Sequence, residues 1–340
     1  VTGTTARGHL AAPDTERGLL LPPVYLSAIS FTVGERVPVE NLAELDPSRL
    51  ATARREGIAG CLVDSRSTIE LAVACARSSL AVAPQPPVHA VYATDSPYEL
   101  SQTEDGFDFL RRCDLVNTDL VTVGGGGCGN LGPGLAVARG LLWSRAPGPV
   151  LFVTTDRVMT GNRFTPNGMT LLSDGAASFL LSTELVAPGF RVLSVASSVR
   201  AGMAARAGIA AARQIAAAVG EAAQRALESA ELGAACRYLL LPNYGVTSRA
   251  LFSMAAGFDV DTTYPPSNTY VGHCFSADAL ISLSQLMSDG VLDRGDRLML
   301  LAASPQSWSI VIVEYVEPAR SDGSASRPVE YAGGSGTSGA

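Results

Sequence analysis

Short runs rich in Val, Ile and Leu alternate along this chain with stretches of helical period, punctuated by Gly, Pro and Asp. Residues 24–33 predict a first strand. Residues 67–81 have helical spacing, and Ser67 with Glu70 three positions on predicts a capping box at the start. Buried strands are predicted at 88–93 and 120–123, then a Gly-rich turn and a helix running from just after Cys128 to about Trp143. Strands at 150–155 and 177–182 follow. The second half repeats the rhythm with a strand at 191–196 and an Ala-rich helical region at about 204–232, interrupted near Gly220. After these come a strand at 238–241, a helix at 276–287, and strands at 297–302 and 309–315. Strand–helix alternation of this kind predicts a layered α/β architecture with helices against a largely buried sheet. The echo between halves predicts a duplicated core, one copy in 19–187 and the other in 188–317. A polar arm at 1–18 and a Gly/Ser-rich flexible tail at 318–340 flank it.

Composition narrows the function classes. The chain has 340 residues, 47% of them apolar and 17% charged, which describes a compact globular protein of two domains or one large one. Its net charge is −7, so there is no basic stripe for nucleic acid to bind. All 25 basic side chains are arginine, and a P-loop, which needs a lysine, is excluded. The six cysteines, Cys61, Cys75, Cys113, Cys128, Cys236 and Cys274, are widely spaced without a C-x-x-C pair. That spacing suits neither a disulfide framework nor a zinc site, and Cys61, Cys75 and Cys236 read as small core residues. With no signal-like start and no window of about 18 apolar residues, the expectation is a cytoplasmic protein that does not cross a membrane.

Chemistry concentrates in two places. The first is VTVGGGGCGNLGPGLAVARG at 121–140, which admits three readings. Gly127, Gly129 and Gly132 spell the dinucleotide pattern G-x-G-x-x-G, with Asp156 standing roughly where a ribose-binding acid belongs. Against this, the motif lies in mid-chain and its second position is Cys128. At a helix N-terminus the dipole and free N–H groups favour an anion such as a thiolate, so the turn can instead present a nucleophile. The third reading is an inert cysteine in a tight turn. The second place is NTYVGHCFSAD. Of three histidines, His9 falls in the arm and His89 in a strand-like run, as a core or sheet-edge residue. His273 sits in a Gly-flanked turn before a helix, and Asp278, five residues on, can fold back toward the imidazole. A cysteine nucleophile needs such a base, and the base needs a carboxylate to orient it. The plain alternative is a histidine that caps the turn beside a solvated aspartate.

Over roughly residues 20–317 the chain resembles the ketoacyl-ACP synthase III branch of the thiolase superfamily. DLVTVGGGGCGNLGPGLAVARGLL is similar to that family's nucleophilic-cysteine elbow, and LLSDGAASFLLST to its Gly-Asp-Gly-Ala segment, here 173–176. LPNYGVTSRAL stands where the family has His-Gln-Ala-Asn, VGHCFSAD where it has Gly-Asn-Thr-Ser, and ASPQSWSIVIVEY at its closing Gly-rich turn before a tryptophan. The resemblance implies a thiolase-like, duplicated five-layered α/β/α/β/α fold, a homodimer, Cys128 as the acyl-carrying residue, and no cofactor or metal. It departs at informative positions. The family's catalytic His position is Asn243 and its catalytic Asn position is His273, which puts decarboxylative condensation in doubt.

Cys128, His273 and Asp278 together resemble a divergent subgroup from antibiotic and polyketide pathways, whose members transfer intact acyl groups or select starter units. The family's closing glycines are Ala303, Ser304 and Pro305 here, so the resemblance assigns the oxyanion donors to the backbone N–H groups of Cys128 and Ser304. Asn243 is expected to orient substrate, Arg249 to lie where the family meets a carrier protein, and Cys274 to be core. The function implied is a ping-pong acyltransferase. An acyl-CoA or acyl carrier protein thioester is the donor, and a hydroxyl or a carrier protein is the acceptor. A condensing or starter-selecting synthase, or a non-catalytic acyl-binding partner, are the rivals.

Overall fold

The computed structural model describes residues 22–318 except 97, 145–147, 160, 166–167, 204–205, 207, 232–235 and 265–271. The expected arm at 1–18, and the tail beyond Pro318, lie outside the described residues.

The first half of the chain runs β1 (Tyr25–Val33), β2 (Glu35–Pro38), α1 (Pro47–Arg55), β3 (Gly60–Val63), α2 (Thr68–Leu80), β4 (His89–Ala93), α3 (Gln102–Arg112), β5 (Asp119–Val123), α4 (Leu131–Leu142), β6 (Val150–Asp156) and β7 (Gly175–Ser182). The second runs β8 (Gly189–Val199), α5 (Gly208–Ser229), β9 (Tyr238–Leu240), α6 (Val246–Ala256), β10 (Thr263–Tyr264), α7 (Asp278–Ser288), β11 (Arg297–Ala303) and β12 (Ser307–Val316). The predicted capping box holds α2 in place: Ser67 Oγ accepts from Glu70 N at 3.1 Å and Glu70 Oε2 accepts from Ser67 N at 2.8 Å.

The strands form one ladder in the order β10-β9-β11-β12-β8-β1-β7-β6-β4-β5. Numbered within its own half, each set of five strands follows the same order, 3-2-4-5-1. Pairing sense repeats as well: β4 is parallel to β5 and β6, and β9 to β10 and β11. The fourth and fifth strands, β6 with β7 and β11 with β12, pair antiparallel in both halves. The chain is a duplication, and α2, α3 and α4 correspond to α5, α6 and α7.

Burial resolves five layers. Residues of α2 and α3 cover the outer face of the first half. Those of α5 and α6 cover the outer face of the second. Between the halves, Leu131, Leu135 and Leu142 of α4 share one core with Leu280, Leu283 and Leu286 of α7 and with strands of both halves. Most positions of both helices are buried or half-buried, which suits a central layer, and α4 meets solvent at Ala136 and Gly140. The short β2–β3 hairpin and α1 enclose a satellite core around Ile58 and Phe164.

Two glycine expectations change. Gly220 does not break α5, which is continuous over Gly208–Ser229. A Cβ there would lie 3.2 Å from the Ala255 carbonyl, so the glycine lets α6 pack closely. Gly132 and Gly134 also serve packing: added Cβ atoms would reach Ser309 Oγ at 2.2 Å and Phe152 Cε2 at 2.5 Å. The glycine pattern therefore seats α4 between two strands. Gly132→Ala is expected to destabilise the protein by about 1–3 kcal/mol through overpacking, although Ala ordinarily favours a helix by about 1 kcal/mol. Urea denaturation reads the sign directly.

Candidate active site

The chemistry-bearing residues lie just beyond the carboxyl ends of the parallel strands, where open α/β sheets place ligands. Asp95 follows β4, the Cys128 turn follows β5, Asn243 follows β9, His273 follows β10 and Ser304 follows β11.

The Cys128 turn is built from short local bonds. Gly129 N and Asn130 N donate to Gly126 O and Gly127 O, forming a single 3-10 turn before α4. The Cys128 N–H takes no part in either bond. Asn130, fully buried, accepts from Gly126 N at 2.9 Å and donates to Thr94 O at 3.2 Å, fastening the turn to the end of β4. Gly127 has φ +59°, a conformation that favours glycine. Cys128 itself is half-buried and free.

Opposite, a second 3-10 turn, Phe275–Ala277, leads into α7. His273 Nδ1 lies 2.5 Å from Asp278 Oδ2, and both side chains are buried. Asp278 also accepts from Asn243 N at 2.7 Å, Asn243 Nδ2 at 3.2 Å and Cys274 N at 2.8 Å. Four donors on one carboxylate fix its orientation. Ser276 donates its hydroxyl to Cys128 O at 3.0 Å, which latches the histidine segment to the nucleophile turn. Tyr244 packs edge-on against the imidazole with ring centroids 4.8 Å apart, and its hydroxyl donates to Ala303 O. Phe275 at φ +49° lies over the ring from the other side, 6.0 Å away. A non-glycine residue in that region is strained, here two residues from the buried His273.

His273 Nε2 is buried without a hydrogen-bond partner. Burial alone would push the imidazolium down. The Asp278 carboxylate and then the Cys128 sulfur outweigh burial and bring His273 up to about 10. The raised value means that stability from the charged histidine is complete below its ordinary ~6.5 and is lost as pH rises toward 10. Cys128→Ala removes one of the raising causes, so the His273 ring should titrate lower in that variant. With three histidines in the chain, NMR of the Cε1–H signals can follow it.

Cys128 and His273 line a cavity of about 430 Å³. Met169, Met203, Ile215, Phe252 and Trp308 make most of its wall apolar, while Asp95, Ser304 and Arg206 supply polar groups. Burial pushes the Asp95 carboxyl up.

No family model and no curated protein matches this chain. Solved structures do. The acyltransferase ChlB3 superposes with TM-score 0.75 at 20% identity over 88% of this chain and 99% of that one. The 3-oxoacyl-(acyl carrier protein) synthase III of Pseudomonas aeruginosa gives 0.72 at 16% identity over 86% and 98%. Xanthomonas campestris OleA, as a single-residue variant, gives 0.67 at 17% over 86% and 98%. The fold is that of the ketoacyl-ACP synthase III enzymes.

On this ketoacyl synthase III fold, three expected site residues meet: Cys128, His273 and Asp278 share one corner of the molecule, and Cys274 is core beside them. Two other expectations need correction. The Ser304 N–H is donated to Ser307 O at 2.8 Å, so it is already occupied in closing the β11–β12 turn. Arg249 is 3% exposed and bonds Thr263 Oγ1 beneath α6, so it presents nothing to a carrier protein. Asn243, expected to orient substrate, gives its backbone and side-chain N–H groups to Asp278, which makes it a support for the carboxylate. Asp95, Tyr244, Ser276 and Arg206 escaped the sequence reading. Asp95 had a usable signal, a polar residue just past a buried parallel strand. Ser276 and Tyr244 are each adjacent to or within a motif that was read for other residues.

Proposed function

We propose that the chain is an acyltransferase that moves an intact acyl group from a coenzyme A or acyl carrier protein thioester, through Cys128, to a hydroxyl or carrier-protein thiol. The observation that carries the reading is the line from Asp278 through His273 to the Cys128 cavity, with Nδ1 held by Asp278 and the imidazole near enough to the Cys128 sulfur for its pKa to be raised by it. In the first half-reaction Cys128 Sγ adds to the thioester carbonyl. The tetrahedral adduct collapses with loss of the donor thiol, which takes its proton from His273 Nε2. In the second, neutral His273 Nε2 accepts the proton of the acceptor, whose oxygen or sulfur attacks the acyl-cysteine and releases Cys128. Having given its proton to the departing thiol, the ring is neutral and serves next as base, and acylation also takes away the Cys128 sulfur as one cause of its raised pKa.

Two features favour intact transfer over decarboxylative condensation. The Asn243 amide is turned to Asp278 and is not presented to a thioester carbonyl. Asp95 in the cavity opposes a second carboxylate such as that of a malonyl group. Arg206, exposed at the cavity, suits the phosphate of either donor. We further propose that the enzyme works as a homodimer in secondary metabolism.

Intact-protein mass spectrometry after incubation with acetyl-, butyryl-, hexanoyl- and malonyl-CoA tests the reading. The expected result is an adduct in wild type that is absent in Cys128→Ala, with any malonyl adduct retaining its carboxylate. Loss of carbon dioxide from a malonyl donor would move the enzyme to the condensing class.

A further inference from the structure

We propose that the second oxyanion donor is the side-chain hydroxyl of Ser304, acting beside the Cys128 N–H. The inference rests on the acyl-cysteine reading above. Every backbone N–H of the turn between β11 and β12 is accounted for. Ser304 N donates to Ser307 O at 2.8 Å, Pro305 has none, and Gln306 N and Ser307 N donate to Ser304 Oγ at 3.4 and 3.1 Å. No amide of this turn is left for a developing charge.

The same bonds leave one proton over. A serine oxygen has two acceptor sites and one O–H donor. Both acceptor sites of Ser304 face the turn's own amides, and its O–H has no acceptor among the described residues. That side chain lines the cavity shared by Cys128 and His273. It also packs directly on the nucleophile turn: a Cβ placed on Gly127 would lie 3.0 Å from Ser304 Cβ and 3.5 Å from its Oγ. The hydroxyl therefore stands over the residue that precedes Cys128, whose own N–H takes no part in the 3-10 bonds. Pro305, having a fixed φ and no N–H, helps confine the turn to this arrangement.

In the step itself, Cys128 Sγ forms a bond to the thioester carbon and the carbonyl π pair moves onto oxygen. The Ser304 O–H and Cys128 N–H donate hydrogen bonds to that oxygen without giving up their protons. When the carbonyl re-forms, the donor sulfur leaves and takes its proton from His273. Removing one such donor typically costs about 10²–10³ in rate.

The test compares two reactions of Cys128 in full-length wild type, Ser304→Ala and Ser304→Thr. Single-turnover acylation by hexanoyl- and acetyl-CoA forms an oxyanion; alkylation by iodoacetamide does not. Ser304→Ala keeps the backbone N–H and loses the hydroxyl. The expected result is a fall of about 10²–10³ in acylation with alkylation unchanged, and recovery of acylation to within about tenfold in Ser304→Thr. Acylation within about threefold of wild type in Ser304→Ala would overturn the proposal. An equal fall in both reactions would overturn it too, by showing that the hydroxyl only shapes the turn. Absence of any acyl adduct in wild type would instead remove the acyl-cysteine reading on which it stands.

Discussion

Asp278→Asn is expected to lower turnover by about 10⁴ and to cost about 3–5 kcal/mol of stability. The carboxylate accepts from four groups, His273 Nδ1, Asn243 N, Asn243 Nδ2 and Cys274 N. An asparagine offers one oxygen and one NH₂, so whichever way the amide is turned, two buried donors face another donor. Kinetically the loss is larger than the missing bond. An amide NH₂ opposite Nδ1 stabilises the tautomer whose proton is on Nε2, and that tautomer cannot accept a proton from the acceptor. Asp278→Ala should lose comparable activity. Asp278→Glu should lose less stability than either, because the charge survives. The checks are kcat at neutral pH and the urea midpoint; near-normal kcat in Asp278→Asn would show that His273 does not depend on its carboxylate.

His273→Ala is expected to abolish transfer to the acceptor, by about 10⁴ or more, while acyl-Cys128 still forms slowly from an activated thioester. In the first half-reaction a thiol leaving group can depart as a weakly basic thiolate, so the acid helps but is replaceable. In the second, a hydroxyl attacks poorly until its proton is removed, and no other described side chain stands in line with an open basic nitrogen. The variant should therefore accumulate acyl-enzyme by intact mass, and added imidazole should restore part of the turnover. Equal slowing of both half-reactions would argue against this division of labour.

The convergence of Cys128, His273 and Asp278 was legible in sequence because each member depends on local features: a cysteine after a Gly-rich turn, a histidine in a Gly-flanked turn, and an aspartate at a spacing that folds back. Residues whose roles are set by distant neighbours were misread. Arg249 belongs to a chain in which every basic residue is arginine, so its type carried no information, and only the packing of α6 over Thr263 buries it. Ser304 aligned with a backbone donor, but its partner Ser307 is fixed by the register of β11 on β12, in which Ala303 pairs with Trp308. Helix α6 starts at Val246 without a side-chain cap, so it does not announce itself by pattern, whereas α3 has a readable start in Ser101, which accepts from Glu104 N. The four-residue strands β2 and β3 are too short for a periodicity to show.

The duplication has a consequence for how the chemistry could arise. Cys128 precedes α4 and His273 precedes α7, each at a 3-10 turn and after the third strand of its half, so the proposed nucleophile and base lie in corresponding connections of the two halves. A pair of identical half-length chains would carry the same residue at both places, two thiols or two imidazoles face to face, and could not divide the labour between them. Joining the copies into one polypeptide made the two positions independently mutable. The difference in chemical character across the cavity is thus a property that covalent linkage permits and symmetry forbids.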